Sequence, residues 1–144
     1  MKVAGILEAK GHAVETTRPE ATVGIAIRRL TTMGIGALVV SADGERVDGM
    51  ISERDIVRGL NTHGQALLGM RVTDVMSHWV PVCSPNDSIK HVMAQMTQTR
   101  NRHLPVVDGG KLCGLVSIGD IVKHRLEEME LETNVLRDHY IARR

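Results

Sequence analysis

Two serine–aspartate pairs carry the chemistry this sequence offers. Gly49-Met50-Ile51-Ser52-Glu53-Arg54-Asp55-Ile56-Val57 is written again, sixty-five residues later, as Gly114-Leu115-Val116-Ser117-Ile118-Gly119-Asp120-Ile121-Val122. Each copy is a glycine, two apolar residues in strand style, and Ser-x-x-Asp opening an apolar-periodic helix. A serine N-cap with an acidic residue three places on is close to a capping box, in which each side chain satisfies an orphan backbone N–H. The same geometry suits recognition. A carboxylate at a helix start can accept hydrogen bonds from both hydroxyls of a ribose, while nearby hydroxyls and free helix N–H groups suit a phosphate. On the residues alone both readings stand.

The two junctions are not equivalent. Arg54 stands in the first, where the second has Gly119. The second half places Arg100, Arg102 and His103 just before its strand. Arginine presents a planar fork matched to phosphate oxygens, and His103 would add charge below about pH 6.5. These three are expected to complete the Asp120 site and to favour a phosphorylated ligand there; the plainer reading is a solvated basic loop. The first half has Ile35-Gly36-Ala37 at that place. Gly36 and Ala37 are small enough to let backbone approach a base or ribose, or simply to pack a strand.

Other chemistries fare poorly. Gly34-Ile35-Gly36 precedes a strand, the wrong context for a dinucleotide fingerprint. The seven histidines show no metal-ligand spacing, and no serine or cysteine has an adjacent base, so neither a metal site nor an enzyme is expected.

The elements that must position these residues come in duplicate. Val14-Glu15-Thr16-Thr17-Arg18-Pro19 and Val80-Pro81-Val82-Cys83-Ser84-Pro85 are extended pieces stopped by proline. A helix from Thr22 to Gly34 is matched by one capped at Asp87 or Ser88, with Ile89, Val92, Met93 and Met96 on its apolar face. Ile35–Val40 and Arg102–Val107 are strands, each followed by a turn, Ala42-Asp43-Gly44 or Asp108-Gly109-Gly110. Repetition at this spacing marks one supersecondary unit used twice. We divide the chain into repeat 1 (10–60), a connecting segment (61–78), repeat 2 (79–125) and a C-terminal amphipathic helix (126–144). In that helix Leu126, Met129, Thr133, Leu136 and Tyr140 step by alternating threes and fours, a stripe that seeks either its own domain or a second chain.

The totals narrow the function. The 144 residues are 42% hydrophobic and 24% charged, as in an ordinary globular domain, with a formal net charge of +1. That charge supplies no pull toward nucleic acid or an anionic membrane. Trp79 and Tyr140 are the only aromatics, which also counts against single-stranded nucleic-acid binding. Cys83 and Cys113 are isolated, as in a reducing compartment. No apolar run is long enough for a membrane span, and charge interrupts the N-terminus too early for a signal peptide. A cytoplasmic protein is the expectation.

The two Gly-x-x-Ser-x-x-Asp junctions, Ile35-Gly36-Ala37-Leu38-Val39-Val40 and Arg100-Asn101-Arg102-His103-Leu104-Pro105-Val106-Val107 together resemble the cystathionine-β-synthase (CBS) domain pair, or Bateman module. The resemblance covers roughly residues 10–125 and extends to the regulatory module of IMP dehydrogenases, whose catalytic barrel has no counterpart in this sequence. It implies an α+β fold of two βαββα repeats related by a pseudo-two-fold axis, often as flat homodimers. It implies an adenine nucleotide in clefts between the repeats: AMP, ADP, ATP, NAD(H) or S-adenosylmethionine, as ligand and not as a required cofactor. It further implies ribose contact by Asp55 with Ser52 and Arg54, or by Asp120 with Ser117 and Gly119. Base contacts would come from Thr17 and Val82, and phosphate contacts from Arg102 and His103. Such modules regulate an enzyme, channel or transporter, and here that target is expected to be a separate protein. The alternative is a ligand-free dimeric scaffold.

Overall fold

A computed structural model describes residues 1–142. Two sheets are built from one plan. In the first, β1 (Thr16–Thr17) runs parallel to β2 (Ala37–Val40), which pairs antiparallel with β3 (Gly49–Ser52). In the second, β4 (His103–Asp108) pairs antiparallel with β5 (Lys111–Ser117), with an irregularity between Val106 and Val107. Cys83 bridges in parallel to Val106 as Thr16 does to Val39, so the second extended piece occupies the place of β1. The architecture is the expected α+β tandem of CBS-type repeats.

Local chemistry sets the helices. In α2 (Val23–Met33) the Thr22 hydroxyl accepts from the Ile25 N–H, and Gly34 ends the helix in the left-handed conformation at φ 64°. In α5 (Ile89–Thr99) Ser88, not Asp87, is the cap, accepting from His91 N–H. The closing residue of α5 is Arg100 at φ 56°, the one non-glycine with positive φ among the described residues. Helix α3 (Glu53–His63) follows β3 directly, and a 3-10 turn (Gly64–Gly69) leads to the short α4 (Val72–Val75). Helix α6 (Ile118–Ala142) continues from β5 without a break, so the second junction helix and the C-terminal amphipathic stretch are one element.

The helices that precede the repeats are exchanged. Helix α1 (Val3–Lys10) buries Val3, Ile6 and Leu7 among Ile89, Val92, Met96, Leu104, Val116 and Ile121 of the second repeat. Helix α4, from the connecting segment, buries Val72 among Val23, Leu30, Leu38 and Ile51 of the first. A third cluster, Ala37, Val39 and Met50 with Val80, Leu112 and Leu115, joins the two sheets. Among the described residues no helix is long and apolar enough to cross a membrane.

The glycines that open both junction motifs have a packing cause. A Cβ on Gly49 would sit 2.6 Å from Met76 Sδ and 2.8 Å from the Ser77 carbonyl oxygen; on Gly114 it would sit 2.5 Å from Leu7 Cδ2. Each glycine lets the segment leading into the other repeat cross its strand. That crossing brings Ser77 into antiparallel pairing with Met50.

Candidate functional site

Both Ser-x-x-Asp pairs fold as capping boxes. The Ser52 N–H donates to Asp55 Oδ2 at 2.8 Å and the Asp55 N–H to Ser52 Oγ at 3.4 Å. The Ser117 N–H donates to Asp120 Oδ2 at 2.9 Å and the Asp120 N–H to Ser117 Oγ at 3.1 Å. Their remaining partners differ. Asp55 is buried, and its carboxylate also accepts from Ser52 Oγ at 3.0 Å and, at Oδ1, from Ser77 Oγ at 3.1 Å. The two serine hydroxyls can rotate away and yield their places to hydroxyls of a ligand.

Asp120 instead takes an ion pair. Lys10 Nζ lies 2.8 Å from Asp120 Oδ2 and 3.0 Å from the Leu115 carbonyl oxygen. Partial burial pushes the Asp120 carboxyl up, but donation from Lys10 and Ser117 outweighs it and holds the group below its ordinary value. Lys10 reaches this carboxylate because α1 packs on the second repeat.

A cleft of about 550 Å³ lies on Asp55. From the first repeat it is lined by Gly36, Ala37, Ser52, Glu53, Arg54, Asp55 and Arg58, and from the second by Arg100, Asn101, Arg102 and His103. The sequence reading grouped Arg100, Arg102 and His103 with Asp120. The structure corrects this. Strand pairing holds their backbone beside the second junction, with the Ile118 N–H on the Arg102 carbonyl and His103 opposite Ser117. All three nevertheless line the cleft of the first. His103 shows why: a Cβ on Gly36 would lie 3.4 Å from His103 Cε1, so the small residue of one repeat makes room for the ring of the other.

His103 is held neutral to lower pH than a free histidine. Burial is the largest cause; Lys10 and, less, Arg102 also oppose its charge, while Asp120 and Glu53 favour it. Arg100 is left-handed where the first repeat uses Gly34, a conformation that costs a side chain on the order of 1 kcal/mol, and it lines the cleft.

Five anticipated residues fall outside this cavity. Ser117, Gly119 and Asp120 stand at the second junction, Thr17 is buried in β1, and Val82 is exposed on the second extended piece. Conversely, Ser77, Trp79, Arg58, Thr99 and Asn101 line it without having been anticipated. Ser77 arrives only through its pairing with Met50 across the connecting segment. Trp79 is 71% exposed and lines the cleft, as do Ser77 and Val80. An exposed tryptophan is the signal that could have marked it, yet exposure is not legible from order along the chain.

The chain's relatives agree with this architecture. The CBS domain family model matches residues 11–62 and 72–127. A solved CBS-domain protein from Agrobacterium tumefaciens is 40% identical, superposes with a TM-score of 0.83, and is matched over 99% of its length and 87% of this chain. A mitochondrial CBS domain-containing protein of Arabidopsis thaliana, CBSX3, is 30% identical over 134 residues; the match takes in 88% of this chain but 65% of the plant protein. The CBS domain pair of protein MJ0100, solved with 5′-methylthioadenosine and S-adenosyl-L-methionine, shares the fold at 21% identity and a TM-score of 0.76, over 85% of this chain and 98% of its own. With both repeats matched in order and each carrying its Ser-x-x-Asp junction, the chain belongs to the CBS domain family as a tandem CBS pair.

Proposed function

We propose that the Asp55 cleft binds a phosphorylated adenosine nucleotide, AMP being the simplest, and that the chain is a regulatory module rather than an enzyme. One observation carries this reading: the buried carboxylate of Asp55 shares a cavity with four arginines, two from each repeat, which outnumber its two acidic residues, Glu53 and Asp55. Asp55, helped by Ser52 and Ser77, would hold the ribose diol. Arg54, Arg58, Arg100 and Arg102 would hold phosphate, each offering a fork of donors that stays charged at any physiological pH. The exposed face of Trp79 suits stacking on a purine, and Gly36 and Ala37 leave the room a close approach needs. A cavity of about 550 Å³ falls in the usual range for small-molecule sites.

The adenosine-type ligands of the MJ0100 pair support the ligand class. ATP, ADP and NAD(H) fit the same chemistry. The arginines disfavour S-adenosylmethionine, which is itself a sulfonium cation. Asp120, with Lys10 on its carboxylate, would not be the primary ribose site. A ligand that bridges both repeats can shift their packing by its differential affinity for two arrangements, and a separate cytoplasmic protein would read the shift.

A second reading has its own observation. Asp55 already accepts hydrogen bonds at both oxygens, so it could serve only as a cap within a scaffold. Calorimetric titration with AMP, ATP, NADH and S-adenosylmethionine separates the two. The expected result is saturable binding of a phosphate-bearing ligand that is lost in Asp55→Asn and kept in Asp120→Asn, with both variants folded by circular dichroism. Flat titrations of the folded wild-type protein across the panel would leave the scaffold.

A further inference from the structure

Beyond the point where it rests on its own domain, α6 carries an apolar seam that its own repeat does not cover. Ile121 and His124 are buried and Glu128 is half-buried, so these three mark the side turned to the protein body. Val122, Leu126, Met129 and Leu136 are 49, 55, 50 and 70% exposed. With Thr133 they alternate spacings of four and three, which are the a and d positions of a heptad, on the face opposite Ile121, His124 and Glu128. Leu126, Met129, Glu130 and Thr133, at i, i+3, i+4 and i+7, outline a shallow hollow on this face, the diamond that receives a knob from a facing helix.

The flanking charges choose the occupant. With Leu126 and Thr133 at a and Met129 and Leu136 at d, position g holds Arg125 and Glu132, and position e holds Glu130 and Arg137. In a parallel, in-register pair each g residue faces the e residue five places on in the other helix. Arg125 then meets the other copy's Glu130, and Glu132 meets its Arg137, twice each by symmetry. In the antiparallel arrangement of greatest overlap Glu132 would face Glu132 and Glu130 would face Glu130, which is repulsive. We infer that this face is a dimer interface in which two copies of the chain pair their α6 helices as a parallel two-stranded coiled coil. The bodies then lie on the outer sides of the pair, because the seam points away from them. The inference does not depend on the nucleotide reading.

Sedimentation of the full-length protein and a cysteine cross-link test it together. The expected result is a reversible dimer, weakened at least about tenfold by Arg125→Glu with Arg137→Glu, since attraction at every g–e pair becomes repulsion. That variant, mixed with the opposite Glu130→Arg, Glu132→Arg chain, should recover a dimer. Leu136→Cys, made with Cys113→Ser, should form a 136–136 disulfide on oxidation, because in-register d positions face one another. A monomer at every concentration would overturn the proposal. So would a dimer or larger assembly indifferent to the charge reversal, or one that resists the 136–136 cross-link.

Discussion

Ser52–Asp55 and Ser117–Asp120 show how one local geometry can be put to different use by its surroundings. Both are helix caps, but a lysine from α1 sits on the second carboxylate, while the first shares a cleft with arginines of both repeats. His103 stands between these groups, near Lys10 and Asp120 on one side and lining the Asp55 cleft on the other. Its lowered pKa has a definite consequence. The unfolded chain binds the proton more readily, so stability is lost as pH falls through the ordinary histidine value of about 6.5 toward the depressed folded value, and rises with pH across that window. In thermal melts between pH 7 and 5, His103→Gln should show a shallower decline than the wild-type protein. Equal slopes would mean that the ring is not desolvated as the structure places it. Cys83, with its thiol pushed up to about 12 by burial first and then by Asp87 and Cys113, is an inert core residue rather than a reactive one.

The strands and helices around these residues are held by close approach at two glycines. Gly49 accepts the Met76–Ser77 segment against its Cα, and Gly114 accepts Leu7. At Gly49 one of the blocking atoms is a backbone carbonyl, which cannot swing aside as a side chain can. Gly49→Ala should therefore push the connecting segment off β3, costing roughly 1–3 kcal/mol by denaturant titration. It should also loosen the Ser77 hydroxyl from Asp55. Unchanged stability would show that the crossing is softer than 2.8 Å implies.

Taken whole, the molecule is two repeats, each closed by a helix that comes from outside it in sequence. Val3, Ile6 and Leu7 are almost fully buried in the core of the second repeat. Three such side chains are worth about 1.5–3 kcal/mol each, a large share of the 5–15 kcal/mol that holds a domain folded. Removal of residues 1–10 should therefore speed amide hydrogen exchange in α5, β4 and β5 before it does so in α2, β2 and β3. Uniform exchange across both repeats would show that they open as one unit. The same docking delivers Lys10 to Asp120, which ties the asymmetry of the two junctions to the arrangement of the entire chain.

What the sequence by itself determined was everything local and periodic. The capping residues Thr22, Ser52 and Ser117 were legible, as were the strand runs, the turn glycines and the duplication, because each depends on a few neighbouring residues; the cap of α5 was narrowed only to Asp87 or Ser88. The family followed from those motifs in order, and so did the candidacy of Asp55, Ser52, Arg54, Gly36 and Ala37; Arg102 and His103 were legible as candidates, but beside Asp120. The helical stripe through Leu126 and Leu136 was also legible, although only the buried positions of α6 reveal that it faces away from the body. Tertiary structure alone decided which residues meet. Strand pairing in sequence order would group Arg102 and His103 with Asp120, whereas packing of the two sheets brings them to the cleft of Asp55. Ser77, Trp79 and Lys10 came to their places through contacts between segments distant in the chain. No local pattern encodes these contacts, because their energy comes from the burial of α1 and α4 in cores that the other repeat supplies.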